Sequence, residues 1–187
     1  MVTILVFNLY IREPLLMDRD FIAVRIAILT VSDTRTESDD VSGKTLKDRL
    51  LAAGHELADK KIVTDDIYQI RSVISQWICD EKVDVIITTG GTGLTGRDGT
   101  PEAVSVLFDK EITGFGELFR QISYDIIRTS TVQSRAIAGV ANGTFIFCLP
   151  GSSGACKNAW DDILQYQLDV RHRPCNFVEL IPRLRET

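Results

Sequence analysis

An apolar run from Val83 to Ile87 gives way at once to Thr88-Thr89-Gly90-Gly91-Thr92-Gly93-Leu94-Thr95-Gly96, and the chain resumes through Arg97-Asp98-Gly99-Thr100-Pro101-Glu102. The run reads as a buried strand that opens into a loop of glycines and threonines. Glycines let the backbone take positive φ and approach a ligand closely, so several N–H groups can converge on one anion. Thr100 reads as the N-cap of the next helix. Pro101 suits its first turn, where a missing N–H costs nothing. Strand, donor-rich loop, charged pair and helix start together predict a phosphate site, with Asp98 as a candidate metal ligand.

The rest of the chain alternates apolar runs with amphipathic ones. Val24–Val31 and His55–Val63 read as strands, Val83–Thr88 as a third and Phe145–Leu149 as a fourth. Helical spacing of apolar side chains marks Ser42–Ala53 (stopped by Gly54), Ile67–Cys79, Pro101–Phe108, Phe115–Ile127 and a long Ser153–Leu164. Thr129–Val140 fits either pattern, and the tail from Asp169 is irregular. Such alternation predicts an α/β three-layer sandwich with a mostly parallel central sheet. Ligands of such sheets sit outside the carboxyl ends of the strands. That rule gathers Ser32-Asp33-Thr34-Arg35, Thr64-Asp65-Asp66, the glycine loop and Pro150-Gly151-Ser152-Ser153-Gly154 at one edge.

A chain of 187 residues, 44% of them hydrophobic, is enough for one substantial core. Residues 21–187 are expected to form that single domain. The net charge of −5 gives no global basic field for nucleic acid or an anionic membrane. An anion would have to be held locally, by groups such as Arg97, Lys44, Arg35 or Arg135. The 4 cysteines show no C-x-x-C pair and no metal-ligand spacing beside His55 or His172, so free thiols in a reducing cytosol are expected. Met1–Ile11 is apolar, yet it lacks a basic leader and a cleavage site and is too short to span a bilayer. Residues 1–20 therefore read as an extension outside the core, with Met17 an ordinary start, which intact mass would decide.

Gly91, Gly93 and Gly96 satisfy G-x-G-x-x-G, but Arg97–Thr100 intervene before the helix and the strand is the third, so a nicotinamide site fits poorly. Gly91 to Gly96 also spaces like a P-loop, yet Arg97-Asp98 stands where Lys-Ser/Thr belongs. Asp98 beside phosphate-cradling amides makes most sense with a cation between them. Mg²⁺ suits a sparse Asp65/Asp98 pair, because it takes one or two carboxylates plus substrate phosphates. The plain alternatives are a turn cap for Asp98 and a helix cap for Asp65-Asp66. Lys44 defaults to a surface lysine, His55 and His172 to structural or surface roles, and Cys148 to core. The Pro150-Gly151-Ser152 turn offers amides for a second anion, or is simply a strand-to-helix turn.

Thr88-Thr89-Gly90-Gly91-Thr92-Gly93, Arg97 to Ala103, Gly114-Phe115-Gly116-Glu117, Ser134-Arg135 and Leu149-Pro150-Gly151 resemble the molybdopterin-binding MogA/MoaB family. Thr129 to Asn142 and Arg173-Pro174-Cys175-Asn176-Phe177 are similar to its MoaB branch. The likeness runs from about Arg25 to the C-terminus. It implies an α/β fold assembling as a trimer or hexamer, which holds molybdopterin together with ATP and Mg²⁺. It further implies adenylylation of the pterin's terminal phosphate with release of pyrophosphate. On this resemblance Asp65 and Asp98 are the catalytic, metal-holding acids. Thr89, Gly90, Gly91, Thr92 and Gly93 cradle phosphate, while Ser32, Asp33, Ser134, Arg135, Pro150, Gly151 and Ser152 line the pterin side. The alternative within the same fold is a catalytically silent pterin-binding or scaffold subunit.

Overall fold

The computed structural model describes residues 19–186. The proposed extension therefore lies outside the described residues except for Arg19 and Asp20, which are exposed. The elements run β1 (Arg25–Val31), α1 (Val41–Ala52), β2 (Glu56–Val63), α2 (Ile67–Ile78), β3 (Val85–Thr89), α3 (Thr100–Ser105), β4 (Lys110–Glu111), α4 (Thr113–Ile127), β5 (Ile137–Ala141), β6 (Thr144–Leu149) and α5 (Ser153–Ala159). They build one six-stranded sheet in the order β2-β1-β3-β6-β5-β4. Neighbours among β2, β1, β3 and β6 pair in parallel, and β5 runs antiparallel to both β6 and β4. Among the described residues no helix is long and apolar enough to cross a membrane.

Successive side chains of a strand point to opposite faces, and here both faces are covered. Ile26, Ile28, Val85, Ile87, Phe145 and Phe147 pack with Leu46 and Leu50 of α1, Phe115 and Phe119 of α4, and Trp160 after α5. Ala27, Leu29, Ile86, Ile146 and Cys148 pack on the other face with Ile70, Ile74 and Trp77 of α2 and Ala103 and Val104 of α3. This is the three-layer α/β architecture that the alternation predicts, and Cys148 is core.

Several elements differ from the sequence reading. Thr129–Val140 splits into a 3₁₀ helix, Arg128–Gln133, and β5. β5 and β6 form a hairpin across Asn142-Gly143, whose φ values of 46° and 80° match the type I′ turn favoured by that dipeptide. The two-residue β4 is too short to carry a periodic pattern. The expected Ser153–Leu164 helix is α5 followed by a π-helical turn, Trp160–Leu164, and a further helical turn, Gln165–Gln167. Trp160, Ile163, Leu164 and Leu168 are buried along one face throughout, so apolar spacing does not distinguish the two backbones.

Beneath the Ser32–Asp39 loop sits a buried polar cluster. The Asp40 side chain caps α1 by accepting from the Gly43 N–H at 2.9 Å, accepts from the Thr30 hydroxyl at 2.9 Å, and pairs with Lys60 at 2.8 Å. Burial opposes its ionisation, but Lys60, the Gly43 amide and Thr30 together hold its carboxyl below the ordinary range. This cluster anchors the loop leaving β1.

Candidate functional site

Because β1, β2, β3 and β6 are parallel, the loops leaving them meet at one edge. The Ser32 N–H donates to Val63 O at 2.8 Å, and the Gly90 N–H donates to Leu149 O at 3.1 Å. Gly90 has φ +104°, and a Cβ there would overlap the Val31 carbonyl oxygen, so no other residue fits the crossing. The expected N-cap, Thr100, is instead the first residue of α3, and Gly99 precedes it without a side-chain cap. The Thr100 hydroxyl is drawn into the loop, donating to Gly90 O at 2.9 Å while its N–H donates to Gly91 O at 2.9 Å. One residue thus closes the glycine loop on itself.

Asp65 and Asp98 border this loop from two directions. A Cβ on Gly91 would stand 3.0 Å from Asp65 Oδ1, and one on Gly93 would stand 2.7 Å from Asp98 Oδ2. Asp65 and Asp33 are bonded reciprocally: the Asp33 N–H donates to Asp65 Oδ2 at 2.9 Å, and the Asp65 N–H donates to Asp33 Oδ1 at 3.1 Å. Asp33 also takes a two-pronged grip on Arg97, at 2.5 and 2.8 Å. Burial pushes the Asp65 carboxyl above its ordinary range; the neighbouring Asp33 and Asp98 charges add to this, and the Asp33 N–H opposes it. Asp98 is held low, first by the Thr95 hydroxyl and then by the Thr95 and Gly93 amides, with the Thr95 N–H at 2.9 Å. Its carboxylate therefore does cap a turn, and that turn is part of the loop.

A cavity of about 530 Å³ opens beside these groups. One end is lined by Gly90 to Gly93, Asp98, Pro150, Gly151 and Ser152, the other by Phe119, Ser123, Ile126, Ile127, Ser130 and Gln133. Ser134 also lines it, and the Ser134 Oγ is buried with no hydrogen-bond partner among the described residues.

Of the sequence-predicted residues, Gly90, Gly91, Thr92, Gly93, Asp98, Ser134, Pro150, Gly151 and Ser152 share this wall. Ser32 and Asp33 lie outside the lining, on the Asp65–Arg97 side. Thr89 is turned into the protein, donating to Pro150 O at 3.1 Å. The candidate anion holders are engaged elsewhere: Arg97 on Asp33, Lys44 on Asp48, Arg35 on the Asp39 carbonyl, and Arg135 on the loop itself. No lysine or arginine is among the lining residues. The apolar end, carried by α4 and the 3₁₀ helix, escaped the sequence reading; its signal was the unneeded apolar pair Ile126-Ile127 closing an amphipathic helix.

Among the described residues no group of three or more His, Cys, Asp or Glu side chains is placed to hold a metal. A cation at this loop would be held by one or two carboxylates together with the ligand's own oxygens, a donor set that fits Mg²⁺ and not a closed structural site.

The family model described as "Probable molybdopterin binding domain" matches residues 27–170. Molybdenum cofactor biosynthesis protein B of Escherichia coli (strain K12) is 56% identical over 158 residues, covering 84% of this chain and 93% of that protein. A crystal structure of a molybdenum cofactor biosynthesis protein B superposes with TM-score 0.78 at 47% identity, over 80% of this chain and 94% of the other. The tungsten cofactor synthesizing protein MoaB from Pyrococcus furiosus superposes with TM-score 0.70 at 38% identity, over 76% and 91% of the two chains. With the cavity, the glycine loop and this breadth of similarity in agreement, the chain belongs to the molybdopterin-binding-domain family of molybdenum cofactor biosynthesis proteins.

Proposed function

We propose that this protein acts in molybdenum cofactor biosynthesis as a molybdopterin adenylyltransferase. The observation that carries the reading is an amide-rich loop that walls a cavity with a polar and an apolar end, with Asp98 in that wall and Asp65 bordering the same loop outside the lining. The polar end suits phosphates and the apolar end a flat heterocycle. The unpartnered Ser134 Oγ offers a hydrogen bond to whatever enters.

In the proposed reaction an oxygen of the pterin phosphate attacks the α-phosphorus of ATP. A new P–O bond forms there, the α–β P–O bond breaks, and its electron pair leaves with pyrophosphate. No protein nucleophile is required, so the work of the chain is positioning and charge neutralisation. With the Gly90 N–H spent on Leu149 O, Gly91 to Gly93 bring main-chain amides to the phosphates, and Gly151 and Ser152 bring the second turn to the same wall. Asp65 and Asp98 are the residues that would hold Mg²⁺, which when bound supplies the positive charge that the lining side chains lack. The Asp33–Arg97 pair fixes Asp65 through reciprocal main-chain bonds.

Purified protein mixed with molybdopterin, ATP and Mg²⁺ should release pyrophosphate and form adenylylated pterin in equal amounts. Pterin binding without turnover would leave the silent-subunit reading in its place. That reading draws on one observation: the Asp98 carboxylate already has partners at Thr95 and Gly93, so coordination would have to use its remaining lone pairs. The proposal includes self-assembly into a trimer or hexamer, measurable by light scattering. Exposed apolar side chains along α4 and the following turn, Leu118, Tyr124, Ile126, Ile127 and Val132, support it.

A further inference from the structure

We propose that Arg135 is a positioning residue, shaping the glycine loop from behind rather than meeting the ligand. The consequence for catalysis rests on the function proposed above, but the grip on the loop does not.

Arg135 follows the cavity-lining Ser134 on the connection into β5, yet it does not itself line the cavity. Its guanidinium spends its donors on the loop's main chain. Nε donates to Thr92 O at 3.2 Å, Nη2 donates to Asp98 O at 3.1 Å, and Nη1 pairs with the Glu102 carboxylate on α3. These three acceptors stand at the two ends of the loop and at the helix that follows it. The side chain is only 26% exposed, and Glu102 balances its charge locally.

Peptide geometry turns that grip into a statement about the ligand side. In a trans peptide the carbonyl and the following N–H point in opposite directions. Holding the Thr92 carbonyl toward Arg135 therefore turns the Gly93 N–H away from it, and the Asp98 carboxylate lies close against Gly93. Holding the Asp98 carbonyl fixes the other end of the same ring, so the Asp98 side chain lands on the Thr95 amide, close beside Gly93. Arg135 also ties two walls together, since its own backbone belongs to the segment between the apolar end and β5 while its acceptors belong to the polar end. A guanidinium presents several donors in a fixed planar fork; an ammonium is a point charge on a flexible stem and cannot hold both carbonyls in that geometry.

The test compares Arg135→Lys with Arg135→Gln. Hydrogen exchange of the ligand-free protein should show the amides of Gly93 to Gly99 exchanging at least tenfold faster in both variants, with peptides from β1 and β3 unchanged. Turnover with molybdopterin and Mg-ATP should fall at least tenfold in both, with lysine giving no rescue. Glu102→Gln, which leaves both carbonyl bonds in place, should keep wild-type loop protection. Lysine restoring turnover to within threefold of wild type would mean a charge contact with the ligand and would overturn the proposal. Unchanged loop exchange in both variants would overturn it equally. Should the wild-type protein show no turnover at all, the proposed function fails, and the exchange experiment still decides whether Arg135 holds the loop.

Discussion

Acidification from pH 7 to pH 5 should cost this protein about 2 kcal/mol of folding stability through one side chain, His55. The imidazole is 4% exposed, with the Phe21 and Trp160 rings centred 5.1 and 6.1 Å away. Its Nδ1 accepts the Val24 N–H at 3.3 Å, which places the ring proton on Nε2. Burial lowers the pKa from 6.5 to about 4, against a smaller opposing pull from the Asp169 carboxylate. At pH 7 the group is neutral in the folded chain and mostly neutral in the unfolded one, and its contribution is only about 0.2 kcal/mol. As pH falls through 6.5 the unfolded chain takes up the proton and the folded one does not, so stability declines until pH reaches about 4. Binding polynomials for those two values give the loss of about 2 kcal/mol by pH 5 and a limit of about 3 kcal/mol below pH 4. Urea unfolding at both pH values, on wild type and His55→Phe, isolates this contribution. The phenylalanine fills the same slot and cannot titrate, although it leaves the Val24 N–H without an acceptor and lowers stability at both pH values. The elevated pKa of Asp65 has the opposite sign, and it cancels because both proteins carry it. Wild type should lose about 2 kcal/mol more than the variant, equivalent to roughly 4–8 °C in Tm for a chain of this size. Parallel losses in the two proteins would refute the burial argument.

Asp98→Asn and Asp65→Asn should each cut adenylylation by about 100-fold or more while Tm stays within a few degrees, because asparagine can still accept the Thr95 or Asp33 amide; an unchanged rate would remove that residue from the mechanism. Gly93→Ala places a Cβ 2.7 Å from Asp98 Oδ2, so turnover should drop while stability changes by no more than about 1 kcal/mol, since a side-chain end can move aside. Gly90→Ala sets a Cβ against main chain at φ +104° and should cost at least about 2 kcal/mol in denaturant unfolding. Asp40→Ala removes the buried partner of Lys60, leaving it Glu37 at 2.7 Å, and uncaps α1, with an expected loss of about 2–3 kcal/mol measured the same way.

The layers were legible because β1, β3 and β6 are apolar on both faces, and α1, α2 and α4 carry their stripes at helical spacing. Periodicity fails where an element is short or its pattern is shared. β4 has two residues, and the π turn after α5 buries the same side chains that a regular helix would. β5 carries a signal that periodicity passes over, leaving Thr129–Val140 open between helix and strand. Asn142-Gly143, set between two apolar runs, is a hairpin signal in its own right, and it fixes both β5 and its direction.

At the site, the glycine loop was legible because close backbone approach restricts residue type, and Asp65 and Asp98 stand beside it. The arginines were not, because sequence shows a cation without showing which anion lies nearest to it in space. Arg97 and Arg135 read alike as anion holders, yet Arg97 is neutralised by Asp33, 64 positions away and beyond the reach of any local pattern, while Arg135 is neutralised by Glu102 and spends its other donors on carbonyl oxygens. That expenditure has a chemical consequence. A wall lined by amides, hydroxyls and the Asp98 carboxylate but no lysine or arginine would repel a triphosphate unless positive charge arrived with it. Affinity for ATP should therefore depend steeply on Mg²⁺, and titration calorimetry with and without EDTA measures that dependence. Equal binding in both conditions would mean that the amides suffice and that Asp65 and Asp98 serve the loop rather than a cation.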